Sequence, residues 1–299
     1  MAISGTTALV TGITSTIGDR IAVSLAQHGV KVKGLIRRPE QVEIAERIGI
    51  EPVLGNLTDM SSLRKALQGV DLLVHAAAYV GEDMALSQTT NVQGTRNVAQ
   101  AALDTGVPRM VHISTVSVYG HPDEGTLDER YPLSVNHRHA YVITKAEAER
   151  LLGGFRLRGL EISILRPGAI CAERNSKWGD RLVQRYAVAE EVTGLHPEDI
   201  VPWVHADSLA QMVTLVASRP EAAGQAYNAV DGNYSVSDFQ LRICRALGKP
   251  APVPDRPPSR ALYIHERIRQ LGYRPLRTFD ETMVALEKQA RDLVALGQV

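Results

Sequence analysis

The sequence has little cysteine and no excess of charge of either sign. Its 299 residues include two cysteines, Cys171 and Cys244, which are too few for a disulfide framework and suit a reducing compartment. Lysine plus arginine and aspartate plus glutamate each number 33, so the formal net charge is zero. This balance argues against nucleic acid or an anionic membrane surface as the main partner.

Long apolar runs are also missing from the sequence. None approaches the roughly 20 residues needed to cross a bilayer, and residues 1–5 lack the basic stretch and apolar core of a signal peptide. Hydrophobic residues make up 44% and charged residues 22%, which is ordinary for a globular chain and argues against disorder or a fibre. We therefore expect a soluble, cytoplasmic, globular protein without a membrane partner.

The first half of the chain alternates short apolar runs with segments of helical spacing. The runs predict strands over residues 7–11, 30–36, 71–76, 109–114 and 160–165. Between them, helices are predicted over residues 17–28, 40–48, 90–104 and 139–158, with a further one starting near Asp59. Nearly continuous apolar strands are typical of parallel sheets covered on both faces. The pattern therefore predicts an α/β fold with a Rossmann-type doubly wound parallel sheet.

A glycine-containing turn follows the first predicted strand and opens the first helix. It reads Thr11-Gly12-Ile13-Thr14-Ser15-Thr16-Ile17-Gly18. Gly12 permits a tight turn, Gly18 permits close approach of helix and strand, and the helix N-terminus can hold a pyrophosphate. Ser15 stands where a central glycine is usual, so its side chain either hinders the cofactor or binds a phosphate oxygen. An ordinary strand–helix connection is the alternative interpretation.

Two arginines, Arg37 and Arg38, follow the second predicted strand, where a carboxylate would favour NAD. Guanidinium groups match the charge and shape of the 2′-phosphate of NADP. The alternative is that the pair only solvates the end of a strand. We predict NADP as the cofactor, with NAD as the second possibility.

The alternation of short apolar runs with segments of helical spacing becomes weaker after about residue 165. Residues 166–202 mix turns and short helices, and later helices are predicted over residues 204–217, 237–247 and 282–296, with a late strand over residues 225–230. Five prolines within residues 249–259 predict an extended linker. The division predicted is a dinucleotide-binding core over residues 1–168, to which residues 203–230 return. Residues 169–202 and 231–299 are predicted to form a small substrate-binding cap.

Tyr141 and Lys145 are spaced four residues apart in a stretch of helical pattern, so both side chains lie on one helix face. A lysine ammonium near a phenol lowers the phenol pKa from its usual value of about 10. Such a tyrosine can exchange a proton with a carbonyl or alcohol oxygen while hydride moves to or from nicotinamide. Residues 114–120, at the end of the fifth predicted strand, supply hydroxyl groups for a substrate oxygen.

No metal site is predicted. His137 and His139 lie just before Tyr141, but without a nearby cysteine or acidic ligand they favour a loop that faces substrate or solvent. His75 and His112 fall in predicted strands, where hydrogen-bonded core histidines are the ordinary case.

Several motifs in order resemble the extended short-chain dehydrogenase/reductases, which include NAD(P)-dependent epimerases, dehydratases and carbonyl reductases. The resemblance runs from about Thr7 to Ala210. Its motifs are the turn over residues 11–18, Gly55-Asn56-Leu57-Thr58-Asp59, His75-Ala76-Ala77-Ala78, Asn91-Val92-Gln93-Gly94-Thr95-Arg96-Asn97, the pair Tyr141 and Lys145, Arg166-Pro167-Gly168, and Val204-His205-Ala206-Asp207.

The resemblance implies a role for each site residue. Tyr141 is expected to be the general acid/base, Lys145 to lower its pKa and hold the nicotinamide ribose, and Thr115 to orient the substrate oxygen. With the arginine pair included, the expected cofactor-binding residues are Gly12, Thr14, Ser15, Thr16, Ile17, Gly18, Arg37, Arg38, Asn56, Leu57, Ala76, Ala77, Ala78, Tyr141, Lys145, Pro167 and Gly168. The resemblance also implies a homodimer.

Three functions remain open. An NADP(H)-dependent oxidoreductase acting on a ketone or secondary alcohol of a small molecule is favoured by the arginine pair, because NADPH commonly serves net reduction. An epimerase or dehydratase acting on a nucleotide sugar is the second; dehydratases of this group usually carry an acidic residue where Val116 follows Thr115. A catalytically silent dinucleotide-binding regulator is the third, and the intact Thr115, Tyr141 and Lys145 oppose it.

Overall fold

The computed structural model describes residues 3–299. Its strands are β1 (Thr7–Thr11), β2 (Lys31–Ile36), β3 (Glu51–Leu54), β4 (Leu72–His75), β5 (Arg109–Ile113), β6 (Thr126–Leu127), β7 (Glu161–Pro167), β8 (Ala169–Cys171), β9 (Ile200–His205), β10 (Ala226–Ala229), β11 (Gly232–Ser235) and β12 (Leu262–Tyr263). Its α-helices are α1 (Gly18–Gln27), α2 (Val42–Arg47), α3 (Met60–Ala66), α4 (Met84–Ser87), α5 (Gly94–Thr105), α6 (Ala140–Arg156), α7 (Asp180–Ala187), α8 (Ala206–Ser218), α9 (Gln240–Leu247), α10 (Glu266–Gln270) and α11 (Phe279–Ala295).

Seven strands form the central sheet in the order β10-β7-β5-β4-β1-β2-β3, and each neighbouring pair is parallel. The chain builds β2 and β3 on one side of β1 and the later strands on the other. The order therefore reverses between β1 and β4, which creates a crevice at their carboxyl ends where ligands of such sheets bind. This topology confirms the predicted Rossmann-type doubly wound parallel sheet.

Two apolar layers cover the faces of this sheet. Val10 of β1 packs in one layer with Ile21 of α1 and Val213 of α8, whereas Leu9 packs in the other with Val98 of α5. Neighbouring strand residues point to opposite faces, so a strand covered on both sides must be apolar throughout. That requirement explains why the continuous apolar runs predicted the central strands.

The structure corrects several predicted boundaries. Residue 90 does not start a helix: Asp83 caps α4 through the Leu86 N–H, and a π-helical segment, Gln88–Gln93, joins α4 to α5. Val204 and His205, predicted as helix, end strand β9. The sequence also gave no sign of β3, which is short, partly polar and at the edge of the sheet.

The C-terminal part has its own apolar cluster, with side chains from α7, α9 and α11. The stacked rings of Tyr234 and Phe279 lie 3.7 Å apart, and Trp203 meets Phe279 edge-on. A three-stranded sheet, β11-β9-β8, flanks this cluster and was not predicted. Residues 249–259 contain neither helix nor strand, as the prolines predicted.

No helix in the part of the chain that the structure describes is long and apolar enough to cross a membrane.

Candidate active site

The glycine turn lies at the crevice between β1 and β4, and two of its positions accept only glycine. Gly12 has a φ of +73°, and a Cβ added there would lie 2.8 Å from the Ala77 nitrogen. A Cβ on Gly18 would lie 2.1 Å from the Gly12 carbonyl oxygen. The turn is therefore folded tightly against the end of β4, and it leaves the N-terminus of α1 facing the crevice.

Ser15, the residue at the central position of the turn, already has a partner. Its Oγ accepts a hydrogen bond from the Gly18 N–H at 3.1 Å. The hydroxyl thus satisfies one of the free N–H groups at the start of α1. Its own proton remains available, so the serine can donate to a phosphate oxygen while it caps the helix.

A loop that the sequence analysis missed packs on this turn. The Thr16 hydroxyl donates to the Asn175 carbonyl at 2.7 Å, and Arg20 Nη2 donates to the Arg174 carbonyl at 3.1 Å. Glu173 in the same loop lies 3.2 Å from Nε2 of His205, and this hydrogen bond lowers the Glu173 pKa to about 2. The loop is therefore tied both to the glycine turn and to the start of α8.

Arg37 and Arg38 follow β2 and are both exposed. Their backbone N–H groups donate to Oε1 of Gln41 at 2.9 and 3.2 Å, and Nε2 of Gln41 reaches the Thr14 hydroxyl at 3.4 Å. No ion pair within residues 3–299 involves either guanidinium. Gln41, which sequence reasoning overlooked, thus joins two unpaired cations to the glycine turn.

Asn56 and Leu57 lie beyond β3 in a hydrogen-bonded turn. Asn56 Oδ1 accepts from the Thr58 N–H at 3.2 Å, and the Leu57 carbonyl accepts from Nδ2 of Asn97 at 2.7 Å. The exposed side-chain amide of Asn56 keeps its nitrogen free of partners within the described chain. It can therefore donate to a ligand such as an adenine ring.

The end of β4 is fixed by a buried chain of hydrogen bonds. Thr95 donates to the Asn91 carbonyl at 2.6 Å, so its oxygen must accept from Nε2–H of His75, 3.1 Å away. Nδ1 of His75 then accepts from the Thr11 hydroxyl at 2.8 Å, and the Thr11 oxygen accepts from the Ala77 N–H at 3.2 Å. Burial lowers the His75 pKa to about 3. The imidazole is therefore a neutral structural link, as predicted for a core histidine.

Thr115 and Tyr141 meet at the end of β5. Thr115 caps a 3-10 turn by accepting from the Ser117 N–H at 3.1 Å. Burial raises the pKa of Tyr141 to about 12, and a hydrogen bond with the Thr115 hydroxyl works against this rise. The phenol is consequently protonated at neutral pH. Ser114, which the sequence offered as a further hydroxyl, instead donates to Oε1 of Glu149 at 2.5 Å.

Lys145 lies on the same face of α6 as Tyr141, but its ammonium has other partners. Nζ donates to the Ile113 carbonyl at 2.7 Å and lies 3.3 Å from Nε2 of His112. Burial dominates the pKa of the phenol and the lysine is turned toward β5, so the lowering of the Tyr141 pKa by Lys145 stays a prediction. Burial also lowers the pKa of Lys145 itself to about 8.

A buried ion pair lies behind these residues. Nε and Nη2 of Arg166 donate to the Glu149 carboxylate, with the shortest contact at 2.6 Å, and Nη1 donates to the Tyr119 hydroxyl at 2.9 Å. The Glu149 and Arg166 side chains are 3% and 6% exposed. Sequence reasoning missed Glu149, although its position four residues after Lys145 marks the same helix face.

Gly168 separates the central sheet from the three-stranded one. A Cβ at this position would lie 2.3 Å from the Pro202 carbonyl oxygen of β9. Its N–H donates to the Ala229 carbonyl at 3.3 Å. The close approach keeps the buried Pro167 and the partly buried Gly168 at the carboxyl end of β7, beside the strands that carry the other predicted residues.

The two histidines before Tyr141 and His121 form a group of rings that are tilted against one another. The rings of His137 and His139 lie 5.2 Å apart, those of His137 and His121 lie 5.6 Å apart, and Nδ1 of His139 is 3.2 Å from Glu82. Within residues 3–299, no set of three or more histidine, cysteine or acidic side chains is arranged to hold a metal ion.

All the predicted site residues therefore belong to loops and helix starts at one end of the sheet. Those after β1 are Gly12, Thr14, Ser15, Thr16, Ile17 and Gly18; those after β2 and β3 are Arg37, Arg38, Asn56 and Leu57; those after β4 and β5 are Ala76, Ala77, Ala78 and Thr115. Pro167 ends β7 and Gly168 follows it, and Tyr141 and Lys145 come from the first two turns of α6. The parallel strands account for this gathering, because their carboxyl ends share one edge.

Comparison with known proteins assigns this arrangement to a family. The model of the NAD dependent epimerase/dehydratase family matches residues 8–229. A ketoreductase for 4-hydroxy-2-methyl-3-oxo-4-farnesyl-3,4-dihydroquinoline-1-oxide from Stigmatella aurantiaca is 33% identical over 162 residues, or 53% of this chain and 48% of that protein. The chain thus spans about half the length of this relative. A 2-alkyl-3-oxoalkanoate reductase from Shewanella oneidensis is 25% identical over 93% of this chain and 75% of its own length.

A solved structure supports the same conclusion about the fold. The dTDP-glucose 4,6-dehydratase of Streptomyces venezuelae, in a crystal structure with NAD bound, is 25% identical and aligns with a TM-score of 0.80. The alignment covers 97% of this chain and 98% of that one.

Proposed function

The chain belongs to the NAD-dependent epimerase/dehydratase family, and on that premise we propose that it is an NADP(H)-dependent reductase of a ketone group on a small molecule, with Tyr141 as the general acid. The observation that carries this proposal is the hydrogen bond between Thr115 and a protonated Tyr141 at the carboxyl end of β5. When bound, the nicotinamide cofactor supplies the hydride for the reduction. The residues of the chain supply the proton and the orientation.

Tyr141 donates its proton to the ketone oxygen as the oxygen gains negative charge. A group with a pKa of about 12 holds its proton at neutral pH, which is the form a general acid needs. Thr115 holds the substrate oxygen beside the phenol: its own oxygen accepts from the Ser117 N–H, and its proton, which is otherwise shared with the Tyr141 oxygen, donates to the substrate oxygen. Lys145 then offsets the negative charge left on the phenol.

The residues around the crevice fit a dinucleotide. The positions at which Gly12 and Gly18 exclude a Cβ leave the backbone of the turn open to a pyrophosphate. The unpaired Arg37 and Arg38 favour the 2′-phosphate of NADP, because a guanidinium binds phosphate through charge and parallel hydrogen bonds. Asn56 would contact the adenine.

Two observations favour a reductase over a dehydratase. Val116, which follows Thr115, is buried in an apolar cluster and offers no group for acid/base chemistry. The reductase from Shewanella oneidensis and the ketoreductase from Stigmatella aurantiaca also act, by their names, on 3-oxo compounds. We propose a 3-oxo compound as the substrate class, with residues 169–202 and 231–299 as the substrate-binding cap.

The acid/base role is tested with Tyr141→Phe. General acid–base catalysis contributes typically about 10²–10⁴-fold, so NADPH oxidation with a panel of 2-alkyl-3-oxo acids and cyclic ketones should fall by at least about 100-fold. NADPH affinity, measured by fluorescence, should stay unchanged. Thr115→Val should lose activity in the same assay. Turnover by Tyr141→Phe at the wild-type rate would refute the assignment.

The cofactor preference is tested with the double variant Arg37→Ala/Arg38→Ala. Hydrogen bonds to charged groups contribute roughly 1.5–3 kcal/mol each, so NADPH binding should weaken by at least about tenfold while NADH binding changes little. Arg245→Ala, an exposed arginine on α9, is the matched control. Equal affinities of the wild-type protein for NADPH and NADH would contradict the proposal.

A further inference from the structure

The buried ammonium of Lys145 has no carboxylate partner. The residue is 1% exposed, and its two hydrogen-bond partners, the Ile113 carbonyl and the His112 ring, are both neutral acceptors. None of the ion pairs within residues 3–299 includes Lys145. Glu149, one helical turn further along α6, is bound instead by Arg166 and Ser114. The direct contacts of the ammonium are therefore neutral dipoles, and Glu149 acts on its charge only without a hydrogen bond.

The geometry fixes the role of His112 in this contact. An ammonium can only donate, so Nε2 of His112 must accept, and the ring carries its proton on Nδ1. That Nδ1–H is buried and has no hydrogen-bond partner. Burial and the charge of Lys145 hold the His112 pKa well below its usual value, which keeps the imidazole neutral. A neutral acceptor is the only role this ring can play toward the lysine.

The fold itself does not require a histidine at this position. His112 sits in the middle of the sheet, opposite His75 on β4 and Ile164 on β7. An aromatic or aliphatic side chain would pack in this layer without a buried, unpaired N–H. Because an unsatisfied buried donor carries a desolvation cost, it points to a role beyond packing.

We propose that His112 is a positioning residue for Lys145: its neutral imidazole holds the ammonium against β5 and thereby sets how readily the lysine gives up its proton. The proposal rests on the proposed function, in which Lys145 offsets charge at Tyr141. Removal of the imidazole acceptor leaves the buried ammonium with one hydrogen bond fewer. The protonation equilibrium of Lys145 then shifts toward the neutral amine.

Every titratable group around the ammonium affects the protonation equilibrium of Lys145. The titratable groups that interact with it are His112 on β5, His75 on β4 and Glu149 on α6. The two imidazoles remain neutral, since burial and Lys145 lower both of their pKa values. Burial lowers the pKa of Lys145 to about 8, and Glu149 acts in the opposite direction.

The test is a titration of Lys145 in the cofactor-free protein. The chain has seven lysines, so Cε-labelled lysine gives a small set of NMR signals, and Lys145→Met identifies the one that matters. His112→Phe keeps a flat ring but removes the acceptor, and the Lys145 pKa should fall by about one unit, a tenfold change in its protonation equilibrium. His112→Gln restores an acceptor oxygen and should return the pKa toward the wild-type value.

A matched control separates this effect from the loss of any buried imidazole. His75→Phe removes the neighbouring ring, 5.4 Å from His112, which has no hydrogen bond to the lysine. In His75→Phe, the Lys145 pKa should not show the one-unit fall expected in His112→Phe. The same Lys145 pKa in His112→Phe as in the wild type would overturn the proposal, and so would an equal fall in His75→Phe.

A second measurement needs no variant of His112. In ¹⁵N-histidine-labelled wild-type protein, the His112 ring should carry its proton on Nδ1, and its Nε2 shift should follow the lysine titration and lose this step in Lys145→Met. A proton on Nε2 would overturn the proposal. Neither measurement uses substrate, so a protein that shows the linkage but reduces no ketone refutes only the proposed function.

Discussion

Replacing Glu149 by glutamine tests the charge arrangement behind the candidate site. The carboxylate accepts three bonds from Arg166, at 2.6, 3.0 and 3.1 Å, and one from the Ser114 hydroxyl at 2.5 Å. An amide of the same shape can accept at only one of its two ends. The guanidinium of Arg166, which is 6% exposed, would therefore remain buried without a counter-charge.

The loss of folding stability expected in Glu149→Gln follows from the burial of Arg166. Removal of one partner of a buried ion pair costs about 3–5 kcal/mol, a large share of the roughly 5–15 kcal/mol by which a domain is stable. Arg166 keeps its hydrogen bonds to the Tyr119 hydroxyl and the Glu129 carbonyl. We therefore expect Glu149→Gln to lower the free energy of unfolding by about 3 kcal/mol, the lower end of this range. The double variant Glu149→Leu/Arg166→Met removes both charges and should cost less than the single variant.

Urea unfolding measures this prediction. The fluorescence of the two tryptophans reports on the C-terminal part and circular dichroism on the central sheet, and the free energies come from linear extrapolation. Arg166→Met completes the double-mutant cycle. A cost below about 1 kcal/mol for Glu149→Gln, or a double variant as unstable as the sum of the two single ones, would refute the reasoning.

Two further predictions concern the glycine positions and the loop on the turn. Gly18→Ala should abolish cofactor binding, because its Cβ would lie 2.1 Å from the Gly12 carbonyl; Gly153→Ala, in an open stretch of α6, should raise stability by about 0.5–1 kcal/mol. Thermal unfolding and fluorescence titration check both, and intact binding in Gly18→Ala would contradict the steric argument. The hydrogen bond from His205 lowers the Glu173 pKa from 4.5 to about 2, so Glu173 stabilises the fold fully above pH 4.5 and loses this contribution as the pH falls toward 2. The stability difference between wild type and Glu173→Gln, measured by thermal unfolding, should shrink over that range; a constant difference would count against the assignment.

The sequence predicted the central sheet because its strands are buried on both faces. Leu9 and Val10 pack in opposite layers, so each strand shows a continuous apolar run that single-sequence reasoning can find. Strand β3 lacks that signal, because it lies at the edge and only half covers its side chains. Strand β9 was not predicted for another reason: Pro202 interrupts its apolar run. In the structure the strand accommodates this proline opposite Asn233 of β11.

The spacing of Tyr141 and Lys145 predicted a shared helix face but not the direction of the lysine ammonium. The partners of Nζ, the Ile113 carbonyl and the His112 ring, lie 32 and 33 residues away in sequence. Helical periodicity relates only neighbours three and four residues apart. The pKa of the phenol depends on such tertiary contacts and on burial, so the spacing predicted the shared helix face but could not predict that burial dominates this pKa.

The buried charges around the candidate site consist of one ion pair and one further cation. The buried group contains two cations, Arg166 and Lys145, and one carboxylate, Glu149. Arg166 binds that carboxylate through two nitrogens, so Lys145 has no ion-pair partner of its own. In the proposed reduction Tyr141 loses its proton and becomes negative in the same interior. A lysine already paired with a carboxylate would offer little to that new charge, whereas an unpaired one is stabilised by it. In the proposed mechanism, the ion pair of Glu149 and Arg166 therefore leaves Lys145 without a salt bridge and able to stabilise the phenolate.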